Sequence, residues 1–513
     1  MTTQTLPALS TFRAFQVPQL HEIEPEIFVK KYNLPKAVLA AEADTLGWDT
    51  VNSIRMPIVN ASMEKSAKYP KEFHDQISTN WSFGGKFGAW KLVRGGSGAI
   101  LFMQLPIPEG HMVFENDRLE FAEGYATISV KLTYLPQPPE SLGDRGNGKP
   151  DDNGKPQYLV TDASVRSADD PAVVVQNMDY GTRKATPTQD ALFKGALAIW
   201  LNKNLAQFTY IFTVVNINAN ASKGAFQWLK PTYTSYAYFN GATDETSYFG
   251  VLNMTSHDSP EGLSNQLPPS SIPAGCDSAL LISSKKFLNN MVLPGMSTAF
   301  PKAAQGNFKP SANNTVIEKV GEDVELEPVN INGINYTPYL QDFTYQIVGD
   351  EMQINSKIKV SVGLGIDVFV LTTGYYKIKL VNKPDGGGQT LDFEESRIPK
   401  MNTWNEIATW AIVTDAIIAA ITGCAAGVAK MMLKETFKRV VAYIIVAIIV
   451  GIIAAIPTII AQVVQGKAAE VLPSIGDMIV DATGDIKWPD STGFTPTKAE
   501  MNGSLQIGGM LAS

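Results

Sequence analysis

The chain has 513 residues, of which 44% are hydrophobic, 18% charged and 9% aromatic, and its formal net charge is −8. This is the composition of a folded chain, longer than one ordinary hydrophobic core, and not of a disordered one. The diffuse negative charge argues against a general nucleic-acid role, and two distant cysteines, Cys276 and Cys424, make no disulfide framework.

The opening MTTQTLPALSTFRAFQVPQL lacks the basic start and continuous apolar core of a signal peptide. Residues 1–44 read as an extension with one short helix around 36–43. A main body begins near GWDTV at residue 47. From Phe83 to Lys131 the segments AWKLV, GAILFMQLPI and YATISVKLTYL are sheet-like and punctuated by glycine. In the last of them Ala126, Ile128, Val130 and Leu132 share one face, and Thr127, Ser129, Lys131 and Thr133 the other. That period of two marks a strand with one dry face. Residues 136–156, PQPPESLGDRGNGKPDDNGKP, read as an exposed loop.

Residues 188–206 form the first clear helix, with Leu192, Ala196, Ile199 and Trp200 near helical spacing. Strands follow in FTYIFTVVNINANA and FQWLKPTYTSYAYF, then a Ser/Pro/Gly-rich loop at 254–275. A helix is predicted over about 278–292, ended by Pro294 and Gly295. After polar sequence at 300–340, strands run from 342 to 381, and KPDGGGQT is a turn tip. Thr403 and Glu406 have capping-box spacing, which places the start of a long helical region there. One unbroken helix over 404–471 would be roughly 100 Å long, so Gly427, Gly451 and Pro457 are its expected breaks or kinks. The final AEMNGSLQIGGML reads as a returning strand.

Catalytic chemistry is not visible. His21, His74, His111 and His257 share no metal-ligand spacing, and HExxH and GxSxG motifs are missing. GGSG at 95–98 lacks the Lys-Ser/Thr pair of a nucleotide loop and reads as a tight turn between strands. Asp151, Asp152 and Asn153 lack the closing glutamate of a calcium loop. No catalytic residue, metal ligand or cofactor is expected.

The dominant feature is 440–464, VVAYIIVAIIVGIIAAIPTIIAQVV, twenty-five residues without a charge. By length it would span a hydrocarbon core, with Lys438, Arg439 and Lys467 as flanks. Strand-forming sequence on both sides argues instead for a helix buried in protein, since a helix apolar on all faces is at home in either place.

Several blocks together resemble the 47-kilodalton protein/OrfX family of clostridial neurotoxin gene clusters. They are Gly47-Trp48-Asp49-Thr50-Val51 with Ile54; Trp90-Lys91-Leu92; Gly95-Gly96-Ser97-Gly98; Leu105-Pro106-Ile107 with Gly110; and Leu281-Ile282-Ser283 with Phe287-Leu288 and Leu293-Pro294-Gly295. The resemblance covers roughly 45–513. It implies an elongated α+β fold of the tubular lipid-binding (TULIP, BPI-like) superfamily, a long and highly curved antiparallel sheet rolled around a long helix. Two such lobes are expected, at 45–300 and 301–513, the second holding the apolar helical region 404–471.

The implied function is non-enzymatic. The protein would bind a lipid or other amphipathic ligand and accompany other toxin-cluster proteins, with peripheral membrane contact and no nucleic acid. A structural component without lipid, or a membrane-inserting protein using 440–464, are the alternatives. Val441, Ile444, Ile445, Ile448, Ile452 and Ile456 follow helical spacing and are the expected apolar lining. The expected location is the bacterial cytoplasm, or release without a classical signal peptide, as a soluble rather than integral membrane protein. The long N-terminal extension and the greasy helical region depart from the family pattern and suggest work beside an insecticidal toxin.

Overall fold

In a computed structural model of the chain, the residues described are 43–135, 157–163, 171–215, 226–256, 258–363, 365–409, 411, 414–451, 457–476, 479 and 486–512. The expected helix before residue 43 and the loop at 136–156 lie outside them.

Strand β1 (Thr50–Arg55) runs directly into helix α1 (Met56–Ser66). Pro57 in its first turn suits a helix start, and Ala67 ends it in the left-handed conformation. A set of antiparallel strands follows: β2 (Glu72–Ser78), β3 (Trp81–Lys86), β4 (Lys91–Ser97), β5 (Ile100–Phe114) and β6 (Asp117–Val130). The GGSG stretch turns β4 into β5, with Gly95 at φ 116°. On β6, Ala126, Ile128 and Val130 are fully buried, as their alternation predicts. Next come β7 (Leu132–Leu135), β8 (Gln157–Thr161), β9 (Val173–Asp179) and helix α2 (Pro187–Asn204). The Thr186 hydroxyl accepts from Gln189 N while the Gln189 side chain accepts from Thr186 N, so α2 begins with a capping box. Its inner face is Phe193, Ala196, Leu197, Trp200 and Leu201, whereas Ile199 is exposed.

Strands β10 (Thr213–Val215), β11 (Pro231–Phe239), β12 (Tyr248–Thr255) and β13 (Ser278–Ile282) precede a short helical segment α3 at 284–299. The helix expected over 278–292 is thus a buried strand followed by a helix that starts at the Ser283 cap. Five fully buried residues between two sheet neighbours carry no period, so strand and helix look alike there. Leu293, Pro294 and Gly295 form a tight turn inside α3 rather than its end.

Then come β14 (Phe308–Pro310), β15 (Val316–Lys319), β16 (Val324–Glu325), β17 (Val329–Ile331), β18 (Ile334–Tyr336), β19 (Pro338–Val348), β20 (Glu351–Gly363), β21 (Ile366–Asn382), β22 (Gln389–Glu395) and β23 (Lys400–Ile407). The Thr403–Glu406 pair therefore lies in a strand, where Thr403 faces Val370 and Glu406 faces Asp367. The long helix starts twelve residues later than Thr403, at Asp415, with the Thr414 hydroxyl accepting from Ile417 N. Its parts are α4 (Asp415–Lys430), a wider-wound stretch Met431–Thr436, and α5 (Phe437–Val450). Gly427 does not break it; Gly451, at φ 79°, ends it. Pro457 opens α6 (Pro457–Val464), and α7 (Ala468–Val471), β24 (Ile486–Lys487), β25 (Gly493–Met501) and β26 (Leu505–Ala512) complete the order. The chain end is therefore a hairpin of two strands, not one.

The described strands form five open sheets. Their orders are β11-β12-β1-β13-β26-β25; β24-β10-β8-β7; β14-β15-β19-β20-β21-β22, with β16 on β19 and β23 on β21; the ribbon β17-β18; and β2-β3-β5-β6-β9, with β4 on β5. This corrects the expected long, highly curved antiparallel sheet rolled around a long helix: the fold is α+β, but among the described residues no sheet is closed or strongly curled. The physical reason is visible at α5. It is buried by several small layers at once, β22, α3 and α6 among them, so no one sheet has to wrap it.

Residues 42–513 form one compact unit, and its described residues are organised by three buried apolar cores. The largest holds α5, α3, Ile354, Val370, Met501 and Ile507. A second, rich in aromatic rings such as Phe73, Phe83, Trp90 and Phe193, lies between α2 and the β2–β9 sheet. The third is small and includes Trp48, Val51, Leu252 and Leu281.

Candidate functional site

A cleft of about 280 Å³ opens where the β13-β26-β25 side of the first sheet meets the segment around β24. Apolar walls come from Leu280, Ile479, Phe494 and Leu511, polar ones from Asn52 and Ser278, and Lys487 stands at its edge. The volume is at the small end of ligand pockets, about 300–1,000 Å³. A second cleft of about 200 Å³ on the other side of Lys487 and Trp488 is lined by Ser62, Ser66, Tyr210 and Asp490.

Local bonds hold the partition between the clefts in place. The Thr213 hydroxyl donates to Lys487 O at 2.9 Å, and β24 pairs with β10 through Val214 and Val215. The Ser62 hydroxyl donates to Asp490 Oδ2 at 2.7 Å. Trp488 is buried with its ring edge-on to Phe249 at 6.1 Å. Burial pushes the Tyr210 hydroxyl well up, so it stays a protonated donor. The exposed Lys487 is thus the one cation among the described residues that line a mostly apolar cleft, which Ser491 and Thr492 also border. This arrangement can hold a molecule with an apolar body and a polar or anionic end.

A buried ion pair sits in the neighbouring core. Lys286 Nζ lies 3.2 Å from both Asp49 Oδ2 and Asp258 Oδ2. Asp49 also accepts from Thr255 N at 2.7 Å and the Thr255 hydroxyl at 3.1 Å, while Ser283 N donates to Asp49 O. Lys285, bonded to Asp258 at 2.9 Å, holds that carboxyl below its usual range, with Lys286 adding to it against the effect of burial. Two of the sequence blocks quoted above therefore meet: β1, from GWDTV, pairs with β13, from LLIS, and their charged ends lock. A buried charge is tolerated only when paired and hydrogen-bonded in this way.

Of the six residues expected to line an apolar groove, Val441, Ile444, Ile445 and Ile448 are fully buried in the largest core. Ile452 and Ile456 lie outside the described residues. The walls of the two clefts come from other residues, although Leu280 and Ile479 belong to the same core as α5. Sequence reasoning missed Lys487 and Trp488, whose only signal was a tryptophan beside a lysine in a polar stretch. It also missed that His74 and His111 both lie over Gly84, on strands either side of β3. Among the described residues, no three His, Cys, Asp or Glu side chains gather as a metal site.

Residues 45–509 match the OrfX-like family profile, described as protein OrfX2/OrfX3/P47. The chain belongs to the OrfX-like family. It is 27% identical over 508 residues to protein OrfX3 of Clostridium botulinum strain Kyoto / Type A2, covering 92% of this chain and 99% of that one. To protein OrfX3 of Paraclostridium bifermentans it is 28% identical over 513 residues, with the same coverage. The solved structure of P47 from Clostridium botulinum A2 superposes with a TM-score of 0.60 at 18% identity, over 92% of this chain and 99% of that one. That likeness shows a shared fold. The OrfX-like family of clostridial neurotoxin gene clusters is a family of non-enzymatic accessory proteins, as the sequence blocks implied.

Proposed function

We propose that the protein binds an amphipathic, lipid-like molecule in the cleft beside Lys487, with its apolar part along Leu280, Ile479, Phe494 and Leu511. The observation that carries this reading is the conjunction of a mostly apolar cleft with one cation at its rim. Burial of an acyl segment returns roughly 0.8 kcal/mol per methylene, and a cation at the rim fixes which end faces water. Val441, Ile444, Ile445 and Ile448 share a core with Leu280 and Ile479 and form the inner layer behind that wall in the same reading, while Ile452 and Ile456 lie outside the described residues. The division into lobes near residue 300 belongs to the proposal, as do partnership with other toxin-cluster proteins and work beside an insecticidal toxin complex.

Native mass spectrometry of detergent-free protein, with Lys487→Glu and Phe494→Ala variants, tests the reading. Excess mass matching a lipid, lost in both variants, supports it. A species at sequence mass that takes up no added fatty acid or phospholipid overturns it.

A further inference from the structure

The helix Asp415–Val450 is long and apolar enough to cross a membrane, yet its two halves are buried very differently. In α4 only Ala420, Cys424, Val428 and Ala429 are buried. Ala416, Ile418, Ala419, Thr422 and Ala426 are exposed. No charge occurs between Asp415 and Lys430. A helix on a water-facing surface ordinarily turns a polar face outward; α4 turns an apolar one.

Neighbouring elements extend that apolar face. Strand β23 is an edge strand, and its residues opposite Ile366 and Thr372 lie on the core side of the sheet, against which α4 packs. Those residues are Ile407 and Met401, 41% and 54% exposed. On the other flank the ribbon β17-β18 packs on α4, with Ile331 against Gly423 and Val329 against Gly427. Ile334, opposite Ile331 in that ribbon and so on the same face, is 57% exposed. With Ile418 of the helix itself at 47%, α4 and the two elements that flank it all present large apolar side chains. Exposed apolar surface of this extent marks an interaction site.

We propose that this face, α4 flanked by β23 and the β17-β18 ribbon, seats in the acyl region of a lipid bilayer surface without recognising a particular headgroup. Two observations choose lipid over a protein partner. The uncharged stretch offers no arginine, tyrosine or tryptophan of the kind that anchors protein interfaces. Its one outward hydroxyl, Thr422, donates back to Ile418 O at 3.1 Å, and the helix start is satisfied by Thr414. Polar groups closed on their own backbone are what an apolar solvent demands. At the rim, the exposed Lys400 and Lys430 suit the headgroup level. The element is 415–430 rather than the longer run at 440–464, whose first ten residues are buried in the core. The proposal does not depend on the cleft beside Lys487.

Flotation of the full chain with phosphatidylcholine vesicles is the test, comparing the native sequence with an I418K/M401K/I407K variant and with Phe494→Ala in the cleft. The expected result is salt-independent flotation of the native chain, a loss of roughly tenfold or more in the triple-lysine variant with an unchanged melting temperature, and no change in Phe494→Ala. Quenching of I418W fluorescence by brominated acyl chains is expected as well. If the triple-lysine variant melts lower, the quenching measurement decides, and its absence overturns the proposal. Failure of the native chain to float also overturns it. So does flotation only with anionic lipid and abolished by salt, or an oligomer in solution that the same lysines dissociate.

Discussion

The two halves of the helix Asp415–Val450 have the same sort of sequence and opposite surroundings. Eleven of the fourteen residues of α5 are buried. Its partner α4 buries four of sixteen. The difference lies in what crosses each half. α5 is met by α3, α6 and β22, whereas α4 rests on β20 and β21 and, among the described elements, is flanked by a ribbon and an edge strand. Apolar composition alone therefore does not say which part of a helix is core. The junction is pinned from outside: Glu395 on β22 bonds Lys438 at 2.9 Å and Lys434 at 3.4 Å.

The largest expected contrast comes from truncation. Ile445→Ala should cost about 3 kcal/mol, within the range for buried isoleucine, while Ile418→Ala should cost under about 0.5 kcal/mol. Urea denaturation measures both; equal costs would end the distinction between the halves. A lesion remote from the helix sharpens it. Asp49→Asn leaves Lys286 buried against one carboxylate fewer, and should cost about 3 kcal/mol. Hydrogen exchange should then rise equally in α4 and α5, because the damage is global.

A more local break is Gly427→Ala. The new methyl meets Val329, so the β17-β18 ribbon must shift. The cost, about 1–2 kcal/mol of overpacking, is partly offset by up to about 1 kcal/mol of gained helix propensity. Faster exchange should appear in the ribbon and not in α5. The smallest effect concerns pH. Burial raises the Glu395 carboxyl, but Lys438 and Lys434 outweigh it and hold it below the usual range. A depressed carboxyl contributes stability above its unfolded value near pH 4.3 and loses it as pH falls through the folded one. Glu395→Gln should therefore lower stability at neutral pH by under about 1 kcal/mol, with the gap closing below about pH 4.

Much of the fold was legible because it obeys simple periods. The alternation of Ala126, Ile128 and Val130 and the spacing of Leu192, Ala196, Ile199 and Trp200 are local signals that need no partner to be read, although Ile199 turned out to face solvent. Ser278–Ile282 and Lys400–Ile407 were misread because local chemistry was ambiguous there: a fully buried run has no period, and Thr403 and Glu406 have capping spacing by chance on a strand. The clefts were illegible for a different reason. The walls of the first come from β1, β13 and the β25–β26 hairpin, each hundreds of residues from the next, and only pairing brings Asn52, Leu280 and Leu511 together; those of the second join Ser62, Tyr210 and Asp490 across similar distances. The resemblance found the family though not the shape of its sheets, and two of its blocks, around Asp49 and around Ser283, lie together in space beside the Asp49–Lys286 pair.

The first sheet places β26 between β13 and β25, and β1 on the other side of β13. Its middle is therefore made from both ends of the described chain. During synthesis β13 keeps one naked edge until Leu505–Ala512 emerges, 230 residues after Ile282. At about 5–20 residues per second that interval is roughly 10–50 s. A nascent chain of this protein thus carries an unpaired, largely apolar strand edge for nearly half of its translation, a standing invitation to chaperones and to aggregation. Arresting translation just before and just after Leu505 and comparing protease resistance of β13 would reveal the wait; equal resistance at both points would show that the edge is covered sooner.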